Sequence, residues 1–277
     1  MEIKLIATDL DGTFVDSKKQ MIEENVKAFA ECAERGIQIV PTTGRTKVGI
    51  PDAIKTLPGV RYAITNNGGV VVDLETGEEL CSCRLDSELA AKVMEIAKDS
   101  ADDIMYDAYI DGIGYSRFEF FENLEHYLYD PGILDLVKLT RRPVEDNIAY
   151  VKTCGCGVEK INMFFVDMEA RARMRAQLSE VPGILVTSSL PNNLEINAYG
   201  ADKGTALLWL AEYLNIQREE VMALGDGEND LSMIRAAGIG VAMGNAEEHV
   251  KAAADYITAT NDEAGVAAAV HKFVLKM

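Results

Sequence analysis

Two aspartates one residue apart, Asp9 and Asp11, stand just after the apolar run Ile3, Leu5, Ile6 and Ala7, and Gly12-Thr13 follows them. Taking a carboxylate into an interior costs far more than a packed apolar side chain returns, so this position calls for a cation. One Asp can then attack while the other moves protons. Aspartate is a covalent nucleophile for phosphoryl groups, and Mg2+ is commonly held by one or two carboxylates plus substrate phosphate oxygens. The pentapeptide therefore points to metal-assisted phosphoryl transfer. A plain turn is the bland alternative, because Asp-Gly is a common turn signal. A calcium loop fits poorly, since Phe14 and Gln20 stand where oxygen ligands are needed.

Three further groups could serve the same chemistry. Thr43-Gly44-Arg45 follows a second short apolar run, where a hydroxyl and a backbone N–H can hold a phosphate oxygen; a helix N-cap is the simpler reading. Asp202-Lys203-Gly204 opens a helix, and a Lys in the first turn opposes the helix dipole, so it answers to another charge. Gly225-Asp226-Gly227-Glu228-Asn229-Asp230 follows the apolar Val221–Leu224 and offers clustered oxygen ligands for a hard cation.

The elements that must position these groups alternate. Strands are expected at 3–9, 37–41, 62–65, 221–224, 239–242 and 256–258, and helices at 20–35, 46–57, 203–214, 231–236, 246–254 and 262–276. A hairpin is expected around Thr76-Gly77. Such alternation predicts a doubly wound parallel sheet covered by helices, with the chemistry at the carboxyl ends of its strands. The middle reads differently. A helix over 86–99 leads to an aromatic-rich stretch from Tyr106 to Tyr129, and a polar connection is expected around Arg141–Asn147. Strands near 160–166, 184–188 and 194–197 and a helix at 168–179 follow. The expected organisation is a core of residues 1–83 and 191–277 with an inserted α/β cap at 84–190.

Composition narrows the function classes. The chain has 277 residues and a formal net charge of −18, which repels nucleic-acid backbones and anionic membranes in the mean field. No apolar run approaches the ~20 residues that span a bilayer, and the early first strand leaves no room for a signal peptide. The five cysteines, Cys32, Cys81, Cys83, Cys154 and Cys156, are an odd number, which argues for reduced thiols. A cytoplasmic enzyme for a small anionic substrate is the expectation, with no nucleic-acid or membrane partner.

Taken in order, Asp9–Thr13, Thr43–Arg45, Lys203 and Gly225–Asp230 resemble the four signature motifs of the haloacid dehalogenase superfamily of phosphatases. The long interval between Thr43 and Lys203 resembles the Cof-like branch, whose α/β cap covers a Rossmann-like core. Asn66–Val70 and Gly240–Ala246 are also similar to stretches of that branch. The resemblance implies a role for each matching position. Asp9 would be the nucleophile and a Mg2+ ligand. Asp11 would be the general acid/base, with its backbone carbonyl on the metal and its carboxyl toward the leaving oxygen. Leu10 (through its amide), Thr43, Gly44 and Asn229 would hold the phosphate, and Lys203 would neutralise both nucleophile and phosphate. Asp226 would bind Mg2+, with Asp230 and Arg45 in support. The implied activity is a Mg2+-dependent phosphatase acting on a small phosphorylated metabolite, with sugar phosphates or similar monoesters as the expected class. A phosphomutase or phosphotransferase uses the same aspartyl-phosphate, dehalogenation fits the second Asp less well, and a non-catalytic sensor would not need Asp9, Asp11 and Asp226 together.

Overall fold

The computed structural model describes residues 2–276. In chain order its strands are β1 (Leu5–Thr8), β2 (Gln38–Pro41), β3 (Tyr62–Thr65), β4 (Val70–Asp73), β5 (Glu79–Ser82), β6 (Ile104–Ile110), β7 (Ile113–Arg117), β8 (Arg141–Val144), β9 (Lys160–Phe165), β10 (Ile184–Thr187), β11 (Asn193–Ala198), β12 (Val221–Gly225), β13 (Ile239–Ala242) and β14 (Tyr256–Ile257). They divide between two compact units: Met1–Arg45, Ile50–Ser82 and Asp202–Met277 form one, and Thr46–Gly49 with Cys83–Ala201 form the other.

The first unit is built on a parallel sheet in the order β14-β13-β12-β1-β2. Every residue of β1 is buried, as expected for a central strand covered on both faces. Its side chains alternate between two cores. Ile6 packs with Phe14, Phe29, Ile39 and Leu224, whereas Leu5 and Ala7 join Val40, Leu207, Leu210 and Ala223. Each Leu or Ile so buried contributes roughly 1.5–3 kcal/mol. Helix Glu23–Glu34 carries Glu23 and Glu24 in its first turn and buries Ala28, Phe29 and Cys32. It stops at Gly36, whose φ of +76° ends the helix without a Cβ penalty. Beyond β2, isolated parallel bridges (Ile39 to Val60, Thr42 to Ile64) lead to the antiparallel sheet β3-β4-β5, which contains the expected hairpin.

The second unit holds a six-stranded sheet in the order β10-β11-β9-β6-β7-β8, antiparallel except where β7 and β8 run parallel. Ile104, Tyr106 and Ala108 of β6 and Ile161 and Met163 of β9 share an apolar core with Ala90, Val93 and Met94 of helix Ser87–Asp99. At alternate positions Asp107 of β6 and Lys160 and Asn162 of β9 are polar and also buried. Among them, the Arg141 Nε donates to Asp107 Oδ2 at 3.1 Å and the Lys160 Nζ to Glu195 Oε1 at 2.5 Å.

Several sequence expectations need correction. β11 pairs antiparallel with β9 and β10, which moves the end of the inserted unit from 190 to 201. The expected helix at 46–57 reduces to short turns at Lys47–Gly49 and Asp52–Lys55, because Pro51 disfavours helical backbone at the residue before it. The expected connection at Arg141–Asn147 contains β8, where Pro143 is tolerated on the edge of the sheet. The expected last helix is divided by Ala264 in left-handed backbone, leaving Gly265–Val270 and a wider turn at His271–Leu275. All five cysteines are free, and among the described residues no helix is long and apolar enough to cross a membrane.

Candidate active site

β1, β2 and β12 lie side by side, so the segments following them emerge together. The chain leaves β1 for β2 on one side and returns as β12 on the other. That reversal opens a crevice at the carboxyl ends of the strands, the usual ligand position in such sheets. Asp9 leaves β1 with its N–H bonded to the Leu224 carbonyl at 3.0 Å, which ties the first motif to the strand that delivers Asp226. Its side chain is 8% exposed and accepts from the Lys203 Nζ at 2.7 Å.

Lys203 is wholly buried in the first turn of helix Lys203–Tyr213 and also donates to Asp230 Oδ1 at 2.5 Å. Its neighbour Asp202 caps that helix, accepting from the Thr205 N–H at 2.9 Å and the Thr205 hydroxyl at 2.8 Å. The two charges that answer to Lys203 are therefore Asp9 and Asp230. Burial works to lower the Lys203 pKa, but Asp230 and Asp9 outweigh it and raise the value above the usual lysine range.

The loop after β12 is held by Asp230. Its Oδ2 accepts the N–H groups of Asp226 and Gly227, both at 2.9 Å, while Oδ1 takes Lys203. Asp226 accepts the Thr13 hydroxyl at 2.7 Å, a bond that joins the two acidic motifs. Carboxylate oxygens of Asp9, Asp226 and Asp230 lie within 4.8 Å of one another. Burial, reinforced by the neighbouring Asp230, pushes Asp226 up to about 7 despite the Thr13 bond and Lys203. Asp9 is raised well above the ordinary range by burial and by Asp230, Asp226 and Asp11, with Lys203 opposing. Three carboxylates thus face one ammonium. An all-oxygen donor set carrying surplus negative charge suits a hard cation. Since Asp230 is committed to Lys203 and two amides, Asp9 and Asp226 are the side chains left to hold it.

Asp11 is held by two cations. Its carboxyl receives a forked pair from Arg45, Nε to Oδ2 at 2.7 Å and Nη2 to Oδ1 at 2.8 Å, and the Lys19 Nζ adds a bond to Oδ1 at 2.9 Å. Burial would raise its pKa, but the Arg45 bonds and charge, then those of Lys19, bring it down to about 2. Lys19 carries no helix or strand periodicity, and nothing in the sequence singled it out. Thr43 is buried, with its Oγ1 accepting the Arg45 N–H at 3.1 Å; Gly44 lies between them in that turn. The Leu10 side chain is buried, so it offers the site only its backbone. Asn229 reaches Asn67, Nδ2 to Oδ1 at 3.1 Å, and the Asn67 N–H donates to the Thr43 carbonyl at 3.1 Å. Asn67 thereby links the second motif to the acidic loop. Its left-handed backbone, φ 59°, is the conformation that Asn-Asn-Gly sequences tolerate.

Gly12 shows how tightly the two acidic motifs meet. Its φ is +84°, and a Cβ there would stand 2.4 Å from Asp226 Oδ2. Gly12→Ala is expected to displace Asp226 and to strain the backbone by about 1–2 kcal/mol. The measured result should be weaker metal binding, a higher Mg2+ concentration for half-maximal activity, with little change in far-UV circular dichroism. An unchanged Mg2+ requirement would remove Asp226 from the metal set.

Comparison with known proteins identifies the family. The family model for haloacid dehalogenase-like hydrolases matches residues 6–270. The chain is 31% identical over 275 residues to the 5-amino-6-(5-phospho-D-ribitylamino)uracil phosphatase YcsE of Bacillus subtilis (strain 168), covering 99% of this chain and 97% of that protein. A solved haloacid dehalogenase-like hydrolase from B. subtilis aligns at TM-score 0.86 and 30% identity, over 98% of this chain and 100% of that one. The HAD subclass IIB sugar phosphatase BT4131 aligns at TM-score 0.79 and 26% identity, over 98% of each chain. With its parallel core and its separate, mostly antiparallel second unit, the chain belongs to the haloacid dehalogenase-like phosphatases of the Cof-like branch and is a phosphoric monoester hydrolase of that family.

Proposed function

We propose that the protein is a Mg2+-dependent phosphatase of small phosphorylated metabolites, sugar phosphates foremost, working through an aspartyl-phosphate on Asp9. The observation that carries this reading is the buried Asp9 carboxylate, fixed by Lys203 at 2.7 Å and flanked by Asp226. The sugar-phosphate class is supported by relatives whose names specify a phospho-ribityl compound and a sugar phosphate. Discrimination among substrates is assigned to the second unit, because the groups around Asp9 recognise only the phosphate. Five free thiols fit a reducing, cytoplasmic compartment.

Asp9 and Asp226, with the Asp11 backbone carbonyl, would hold the Mg2+, which would supply charge neutralisation for the phosphoryl group and the attacking carboxylate. An Asp9 oxygen attacks phosphorus, the ester P–O bond breaks, and the leaving oxygen takes a proton from Asp11. A water oxygen then attacks the aspartyl-phosphate, Asp11 takes the water proton, and phosphate and free Asp9 result. Lys203 offsets the approach of two anions. The Asp11 of the structure, ionised and gripped by Arg45, is the form needed as a base in the second half. To act as the acid of the first half it must exchange part of that grip for a proton.

Phosphate release measured over a panel of sugar phosphates should require Mg2+ and stop on chelation. Release that survives chelation would sink the metal assignment, and transfer to a second sugar without release would make the enzyme a mutase. A pH dependence follows from Asp226. Its folded pKa of about 7 exceeds the ~3.9 of an unfolded Asp. The metal-free fold binds more protons than the unfolded chain between those values, so its stability falls as pH rises from about 4 to about 7. Added Mg2+ should therefore raise the Tm more at pH 8 than at pH 5, where protons compete for the same oxygens. An equal rise at both pH values would count against this site.

A further inference from the structure

We infer that Asn67 is a positioning residue for phosphate binding, fixing which end of the Asn229 amide is presented to the anion; this rests on the phosphatase reading above. The stretch Asn66–Val70 that carries it takes no part in the proposed reaction, yet its backbone is unusual. Asn66, Asn67 and Gly68 are left-handed in succession, with φ of 51°, 59° and 98°. Side chains other than those of Asn and Asp rarely enter that region, and a run of it persists only where the surroundings over-determine it. They do so here. The Asn66 N–H donates to the Arg45 carbonyl at 2.9 Å and the Asn67 N–H to the Thr43 carbonyl at 3.1 Å. A Cβ on Gly68 would stand 2.2 Å from the Asp202 carbonyl oxygen, so the turn also lies against the start of the helix that carries Lys203. Both asparagines are buried.

The Asn67 side chain adds the third link, its Oδ1 accepting from Asn229 Nδ2 at 3.1 Å. A carboxamide is nearly symmetric in shape but not in charge, because its nitrogen carries two donors and its oxygen only accepts. Turned end for end, Asn229 would set its oxygen against the Asn67 oxygen, acceptor to acceptor. Asn67 therefore selects the orientation that keeps Nδ2 on its own side. That nitrogen has a second hydrogen, which can donate to a phosphate oxygen. An Asn229 able to turn would instead offer an anion its carbonyl dipole part of the time. Since Asn67 is bonded through its backbone to Thr43, the Asn229 donor is also held in register with the Thr43 turn, the other segment expected on phosphate.

A double-mutant cycle tests this, with inorganic phosphate as the probe and its Ki against p-nitrophenyl phosphate hydrolysis in Mg2+ as the readout. Asn67→Gly keeps the left-handed turn and removes the acceptor, Asn67→Asp keeps both, and Asn229→Ala removes the donor. Asn229→Ala should raise the Ki about ten-fold, the loss of one hydrogen bond to a charged group, and Asn67→Gly about five-fold. The two together should be no worse than Asn229→Ala alone, because Asn67 acts through Asn229; independent effects would multiply to about fifty-fold and overturn the assignment. In the Asn67→Asp background the orienting oxygen is retained, so removing Asn229 should again cost about ten-fold, whatever the added charge does to the starting value. A cost there as small as in the Asn67→Gly background would also overturn it. In Asn67→Gly, KM should rise with the Ki while kcat stays within about two-fold; a fall in kcat with KM and Ki unmoved would make the role structural. Should Asn67→Gly fail to fold, Asn67→Ser, too short to reach Asn229, takes its place in the cycle. A wild type without phosphatase activity sinks the phosphatase reading and this assignment with it, whereas an active wild type with multiplying effects sinks only the role of Asn67.

Discussion

Asp9→Asn should lower phosphate release by a factor of about 10^3 or more on every ester, because an amide oxygen cannot form the aspartyl-phosphate. The shape of the side chain is kept, and Asn Oδ1 can still accept from Lys203, which lies 2.7 Å from the native oxygen. Stability should change in the opposite sense to activity. Asp9 is raised well above its ordinary pKa by burial and by three neighbouring acids, so a neutral isostere removes an uncompensated charge. The metal-free variant is expected to melt at or above the wild-type temperature near neutral pH. Burst and steady-state phosphate release together with thermal melts provide the check. An active, folded Asn variant would move the nucleophile elsewhere, and an inactive variant that melts far lower would make its loss of rate a folding effect.

The charged groupings were legible in the sequence because each sits on neighbouring residues. Asp9 with Asp11 and the acidic loop around Asp226 stand out by placing charge after an apolar strand, an arrangement whose desolvation cost demands a partner, and Lys203 by standing in the first turn of a helix. The parallel core was legible for a related reason. β1 and β12 are continuous apolar runs, and a strand covered on both faces has to be.

What the sequence did not display are the contacts made across long intervals. Lys19 has no periodic neighbour and acquires meaning only when its turn folds back on Asp11. Asn67 looks like turn chemistry until its amide is seen to meet Asn229, more than a hundred residues away. β11 was visible as a strand, but which sheet it would join depends on hydrogen-bond partners, and its pairing with β9 placed it in the second unit. β8 was missed because Arg-Arg-Pro-Val carries neither alternation nor a β-branched run. Arg141 is held there by Asp107 and lies over the Tyr109 ring, 4.7 Å from its centroid. The Lys19 contact of Asp11 was not displayed either, since family motifs name a role and do not say which cations hold the group.

Lys203→Met should be the most destabilising of these changes. Methionine matches the stem, so packing is nearly kept, but Asp9 and Asp230 lose the ammonium between them while staying buried. Breaking a buried pair by removing one partner costs about 3–5 kcal/mol. Turnover of all esters should fall by a similar large factor, because in the proposed reaction the lost charge would offset the phosphate that every substrate shares. In the wild type the Lys203 pKa is raised; its contribution is present below the unfolded lysine value of about 10.4 and is lost only as pH climbs through the higher folded value. At neutral pH the wild type therefore has all of it. In the variant, Asp9, already raised in the wild type, takes up a proton more readily than in the unfolded chain. Such a group stabilises the fold at low pH and loses that contribution as pH rises through its elevated value. The Tm deficit in chelator should thus be large at pH 8 and shrink toward pH 5, and Mg2+ should narrow it at pH 8 by placing positive charge beside Asp9. Adding Asp230→Asn should recover stability without recovering turnover, since the amide oxygen can still accept from the loop N–H groups. A deficit independent of pH would mean that lost packing, rather than stranded charge, accounts for the variant.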